Sequence, residues 1–243
     1  MIFGTVRTIR TPLQNNDKNL HYESIKNYFR KDVCTKNRDC EISKGSSKQR
    51  KIFDLTLSIL EGIIKNNPEL TKAMDAGCGT GKFTLELSQK LLQLNQIVGI
   101  DFLKETINNA IEEVKQNKKI SFLQADLLHI PFDDRTFDVT FCLDVLHHVH
   151  GGDFEYAIKE LARITDKYLI VEIRNKKNIF NFWYRHVIQP LFYRKLPIYT
   201  TSMDEVNNFT EACNFHLYLA NRIASSRYSC RRLVLVYQRI DEA

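Results

Sequence analysis

The chain has 243 residues, 43% of them hydrophobic and 26% charged. That is enough for one domain with a substantial core, and it argues against wholesale disorder. No apolar run approaches the roughly 18 uninterrupted residues that a membrane span needs, since the longest, Ile52 to Ile64, is broken by Asp54 and Glu61. The net charge of +6 suits an anionic cofactor, nucleic acid or an acidic membrane surface equally and selects none of them.

Residues 1–17 are polar, hold Asn15-Asn16-Asp17 and show no sustained period, so a tail or loosely packed strand is expected. Leu20, Ile25, Tyr28 and Phe29 predict a short helix over 19–30, and the charged stretch 31–48, broken by Gly45-Ser46-Ser47, predicts a loop. A helix is expected from about Ser47 to Asn66, with Ile52, Phe53, Leu60, Ile63 and Ile64 on one broad face and Pro68 ending it. Residues 1–46 therefore read as an N-terminal tail and helical cap, and 47–243 as the main domain.

The pattern then changes to strand and helix in alternation. Lys72–Ala76 is a strand feeding Gly77-Cys78-Gly79-Thr80-Gly81, and the helix after it carries Phe83, Leu87, Leu91 and Leu94. Ile97 to Ile100 is a strand ending at Asp101; Leu103, Ile107, Ala110, Ile111 and Val114 mark the next helix. Further strands are predicted at 120–124, 139–143 and 168–173, the last two separated by a helix with Phe154, Ala157, Ile158 and Leu161. Past Lys195, Ser202-Met203-Asp204-Glu205 has the form of a capping box opening a helix, and strands follow near 216–222 and 231–239. Such alternation implies an α/β fold whose sheet is mostly parallel and covered on both faces.

Six cysteines, at 34, 40, 78, 142, 213 and 230, form neither a CxxC pair nor a set with zinc spacing. Arg7 and Arg10 are not followed by an apolar core and cleavage site. A reducing, cytoplasmic setting is expected.

Asp75-Ala76-Gly77-Cys78-Gly79-Thr80-Gly81 is the informative stretch. A strand turning at once into a helix needs glycine where the backbone takes special angles or where a ligand approaches closely. A dinucleotide-binding turn would want glycine at position 82, which is Lys82. With glycines at 77, 79 and 81 and an acid before them, the turn resembles that of class I S-adenosylmethionine-dependent methyltransferases. The resemblance extends to Asp101 at the end of the second strand, to Asp126 in Gln124-Ala125-Asp126-Leu127 after the third, and to Phe137-Asp138-Val139 at the start of the fourth. It covers roughly residues 70–175. It implies a Rossmann-like, seven-stranded class I methyltransferase fold that binds S-adenosylmethionine and releases S-adenosylhomocysteine. It also implies a cofactor site made of Asp75, Gly77, Cys78, Gly79, Gly81, Asp101, Phe102, Asp126, Leu127 and Leu143. In the family the acid at 101 accepts the ribose hydroxyls, the one at 126 the adenine amino group, and the one at 75 sits near the methionine amino group.

Leu143-Asp144-Val145-Leu146-His147-His148 follows the fourth strand at the carboxyl edge of the sheet, where open α/β folds place ligands. It resembles the subgroup that includes ubiquinone and menaquinone biosynthesis methyltransferases. A histidine of near-neutral pKa can take a proton from a phenol or enol, so His147, with Asp144 and His148, is the candidate catalytic set. An acid stands at the position of His147 in some quinone O-methyltransferases, and no metal is expected here. Between 176 and 199, Phe180, Phe182, Trp183, Tyr184, Phe192, Tyr193 and Tyr199 interleave with Lys176, Lys177, Arg185, Arg194 and Lys195. Such an insertion suits a hydrophobic acceptor and peripheral contact with anionic membrane; it also suits nucleic acid, or a flap covering the core. Tyr22, Tyr28, Arg174, Trp183 and Phe192 are the candidate acceptor contacts. Methyl transfer to a small hydrophobic acceptor is the leading expectation, with RNA or protein methylation as the alternative and a non-catalytic scaffold last; no DNA partner is expected.

Overall fold

Strands whose successive residues are all apolar must be covered on both sides, and the sheet meets that demand. The computed structural model describes residues 22–27, 30, 47–114, 117–178, 183, 198–223 and 231–240. Strands β1 (Lys72–Ala76), β2 (Gln96–Asp101), β3 (Ile120–Gln124), β4 (Phe137–Cys142), β5 (Thr165–Arg174), β6 (Phe215–Arg222) and β7 (Arg232–Arg239) form one seven-stranded sheet ordered β3-β2-β1-β4-β5-β7-β6. The first five run parallel, and β7 is antiparallel to both of its neighbours. From β1 the chain winds outward through β2 to β3, then returns to β4 and winds the other way. That reversal opens a crevice between the carboxyl ends of β1 and β4.

Among the described residues the sheet is covered by α1 (Ser47–Asn66), α2 (Lys82–Lys90), α3 (Lys104–Glu113), α4 (Phe154–Ile164) and α5 (Met203–Glu211). Ile52, Leu60, Phe83 and Leu87 of α1 and α2 pack with Ile97, Val139, Phe141, Ile170 and Val236. Ile158, Leu161 and Val206 of α4 and α5 pack on the other face with Met74, Val98, Cys142, Leu169, Val171 and Leu235. Neighbours such as Phe141 and Cys142, or Ile170 and Val171, thus serve opposite layers, as the two-residue period of a strand requires. At the start of α5, Ser202 Oγ accepts from Glu205 N at 3.2 Å and Glu205 Oε2 accepts from Ser202 N at 2.8 Å, completing the capping box. The Phe-Asp-Val signature also has a structural use: Asp138 accepts the backbone N–H groups of Thr71 and Lys72, pinning the entry to β1 beside β4.

Some boundaries differ from the sequence pattern. Helix α2 ends at Lys90, and Leu91 and Leu94 reach the core from the turn beyond it. Strand β4 ends one residue before Leu143, and β5 begins at Thr165, directly on the end of α4. The expected tail at 1–17, residues 31–46 of the loop expected over 31–48 and most of the 176–199 insertion lie outside the described residues, while 47 and 48 open α1. Among the described residues no helix is long and apolar enough to cross a membrane.

Candidate active site

The turn after β1 is built from three glycines with positive φ: Gly77 at 86°, Gly79 at 54° and Gly81 at 75°. The N–H groups of Gly77 and Cys78 both donate to Ile100 O of β2, at 2.7 and 2.9 Å, and Gly81 caps α2. The three glycines answer to different neighbours. A Cβ on Gly77 would run into Cγ2 of Val145, and one on Gly81 would stand 2.6 Å from the Phe122 ring of β3. A Cβ on Gly79 would meet nothing within 4 Å. Two glycines are therefore required by protein packing, and at the third the space is open.

Acids surround this turn. Asp75 is buried beneath it and accepts from Thr84 Oγ1 at 2.5 Å. Burial, opposed by the Thr84 bond and reinforced by the charge of Asp101, pushes the Asp75 carboxyl up to about 7. Asp101 accepts from Leu103 N at 2.9 Å and Gly79 N at 3.2 Å; burial raises it against those bonds. Asp126 accepts from Leu128 N at 2.9 Å.

A cleft of about 460 Å³ runs past these residues, lined by Gly77, Asp101, Phe102, Asp126 and Leu127 on the cofactor side and by Val145, His148 and Val149 after β4. Tyr22, Glu23, Ile25 and Lys26 form its outer wall. This helical segment is tied at two points, by Tyr22 OH donating to Asp153 at 3.2 Å and by Arg30 to Glu105 of α3 at 2.8 Å. Burial and the Asp153 charge hold the Tyr22 phenol protonated. Cys78 is buried, and Leu143 packs into the α1 side of the core.

The two histidines part company. His148 faces the cleft. His147, which the sequence favours as the base, is 4% exposed, and its Nε2 lies 3.3 Å from Arg174 Nη2. A guanidinium only donates, so Nε2 accepts and the proton sits on Nδ1, a buried atom without a hydrogen-bond partner. Burial, with the charges of His148, Arg174 and Arg232, drives the His147 pKa well down. Arg174 thus belongs to an ionic cluster and does not line the cleft. Asp144 Oδ1 accepts from Arg232 at 2.7 Å and Arg174 at 3.4 Å, while Glu172 accepts Asp144 N at 3.1 Å and lies 3.6 Å from Arg232 Nε. Asp144, His147 and Glu172 place ligating atoms within 4.8 Å of one another, but two guanidiniums already supply the positive charge there. Trp183 is exposed, and Tyr28 and Phe192 lie outside the described residues.

Sequence reasoning missed Val145, Phe122, Arg232 and Glu172. Only Glu172 left a signal, as a carboxylate inside the apolar run Tyr168–Ile173.

Residues 74–168 match the family described as Methyltransferase domain. The structure of magnesium protoporphyrin IX methyltransferase from Synechocystis, with bound SAH, superposes with a TM-score of 0.70 at 18% identity, covering 90% of this chain and 100% of that one. By sequence the chain is similar to methyltransferase domains over residues 74–168, and its fold is that of a class I methyltransferase. Demethylmenaquinone methyltransferase of Bacillus licheniformis is 31% identical over 131 residues, 54% of this chain and 53% of that protein. The Staphylococcus carnosus enzyme of the same name is 31% identical over 94 residues, 39% of this chain and 38% of that protein. The chain thus spans about half, or less, of the length of these curated relatives. The matched segment begins within β1 and ends within β5, so it contains the turn and all three acids.

Proposed function

We propose that the chain transfers a methyl group from S-adenosylmethionine to a small, hydrophobic acceptor. One observation carries the reading: Gly77 of the turn, Asp101 and Asp126 line one cleft, and no protein atom stands within 4 Å of a Cβ on Gly79. Those residues fit the cofactor. Asp101 would accept the ribose hydroxyls, Asp126 and Leu127 would meet the adenine, and Asp75 would lie beneath the amino end. The cofactor supplies a methyl group on a sulfonium centre, open to in-line displacement. The protein's tasks are then alignment and removal of one proton. His148 is the imidazole placed to take that proton, because it lines the cleft, while His147 has its Nε2 engaged by Arg174. The acceptor end, with Ile25, Leu128, Val145 and Val149, favours an apolar body, and the names of the curated relatives point the same way. The aromatic and basic insertion adds a route for such an acceptor to arrive from an anionic membrane surface.

The test is calorimetric titration with S-adenosylmethionine, followed by incubation with methyl-labelled cofactor and separate lipid, small-metabolite and RNA extracts. Label in the lipid or small-metabolite fraction is expected. Label confined to the RNA extract would overturn the acceptor class, and no heat of cofactor binding would overturn the whole reading.

A further inference from the structure

Glu172 is fully buried in β5, between Leu169, Ile170, Val171 and Ile173, all buried and apolar. A carboxylate there is costly to desolvate, and burial raises its pKa against the pull of Arg232. An apolar residue would serve the strand better, so the acid needs another explanation. It lies in what the carboxylate holds. Oε2 accepts the N–H of Asp144 at 3.1 Å, and Asp144 has φ of 59°, a left-handed conformation that few residues other than Gly, Asn and Asp adopt. Two other non-glycine residues among those described have positive φ, Arg135 and Asn214. Both are exposed, and neither lines the cleft.

The kink at Asp144 decides where the next residues go. Val145 Cγ2 fills the space in which Gly77 has no Cβ. Val145 O then accepts the N–H of His148 at 2.8 Å, and both side chains line the cleft. Arg232 braces the same corner by touching Asp144 and Glu172 together. We propose that Glu172 is a positioning residue, which holds Asp144 in the left-handed conformation that seats Val145 against the cofactor turn and His148 in the cleft. The proposal rests on the reading of the cleft as a methyl-transfer site.

The test compares Glu172→Gln, which keeps an oxygen for the Asp144 N–H, with Glu172→Leu, which keeps the bulk and removes the acceptor. The imidazole resonances of His148 are followed by NMR in the free protein, alongside kcat, acceptor KM and melting temperature. In Glu172→Leu the His148 resonances are expected to move and kcat to fall about tenfold or more, with KM changing less; a misplaced catalytic group costs on this scale. Glu172→Gln should stay within about threefold of the parent and keep its His148 resonances, since a neutral amide oxygen still accepts the bond. A folded Leu variant with unmoved His148 resonances and parental kcat would overturn the proposal. So would a Gln variant as impaired as the Leu variant, which would make the charge, not the acceptor oxygen, the operative property. If Glu172→Leu does not fold, the Gln variant's resonances and kcat decide between these outcomes. A parent protein inactive on every acceptor would count against the methyl-transfer reading, while the NMR comparison would still test the action of Glu172 on His148.

Discussion

Replacing Gly79 and Gly77 by alanine, one at a time, separates a glycine kept for a ligand from one kept for the fold. Both have positive φ, so each alanine costs about 1–2 kcal/mol of backbone strain. At Gly79 nothing stands within 4 Å of the new methyl, so strain is the whole stability cost. For a chain of this size that lowers the melting temperature by about 2–8 °C, at roughly 2–4 °C per kcal/mol. At Gly77 the methyl collides with Val145, and overpacking adds about 1–3 kcal/mol; the melting temperature should then fall about twice as far. Cofactor affinity should run in the opposite sense. If the open space at Gly79 is the cofactor's, the new methyl should weaken S-adenosylmethionine binding at least tenfold, about 1.4 kcal/mol, measured by calorimetry at a temperature where both variants are folded. Parental affinity in Gly79→Ala, with the loss confined to stability, would refute the assignment of that open space to the cofactor.

Cofactor affinity should also depend on pH through Asp75. Its carboxyl is pushed up to about 7 by burial first, with Asp101 adding and Thr84 opposing, and the cofactor's ammonium group, bound as proposed, would favour the ionised form. Binding should therefore weaken about tenfold from pH 8 to pH 6, and Asp75→Asn should flatten the profile; a parental profile already flat over that range would count against Asp75 facing the amino group. The same raised pKa is a folding term that favours the native state below the ordinary carboxylate range and is lost as pH rises through about 7, so Asp75→Asn should gain stability at pH 8 relative to pH 5 in denaturant titrations. Asp101→Asn keeps one acceptor oxygen where the carboxylate now serves Leu103 N and Gly79 N together. With the charge on the ribose contacts gone, at about 1.5–3 kcal/mol, affinity should drop about 10- to 100-fold by calorimetry. His148→Ala should lower kcat on a hydroxyl acceptor about 100-fold with cofactor affinity near that of the parent, and His147→Ala should lower it less. The reverse order in steady-state rates would return the base to His147.

The turn and the three acids proposed for the cofactor were legible in the sequence because their signals are local. Asp75 and the three glycines share one turn, and Asp101 and Asp126 each follow a short apolar strand. The parallel alternation that brings those strand ends together is itself a property of pattern and connection length. Sequence could also show that glycine belongs at 77, 79 and 81, but not why. Phe122, 41 positions after Gly81 in the chain, stands where a Cβ would go at Gly81, Val145 does the same at Gly77, and Gly79 alone is left open. The two histidines are adjacent in sequence and chemically identical, and only packing turns His148 to the cleft while burying His147 against Arg174. The ionic corner was equally hidden. Arg232 reaches Asp144 across 88 positions and Glu172 reaches it across 28, and those contacts exist only because β4, β5 and β7 lie side by side in the sheet.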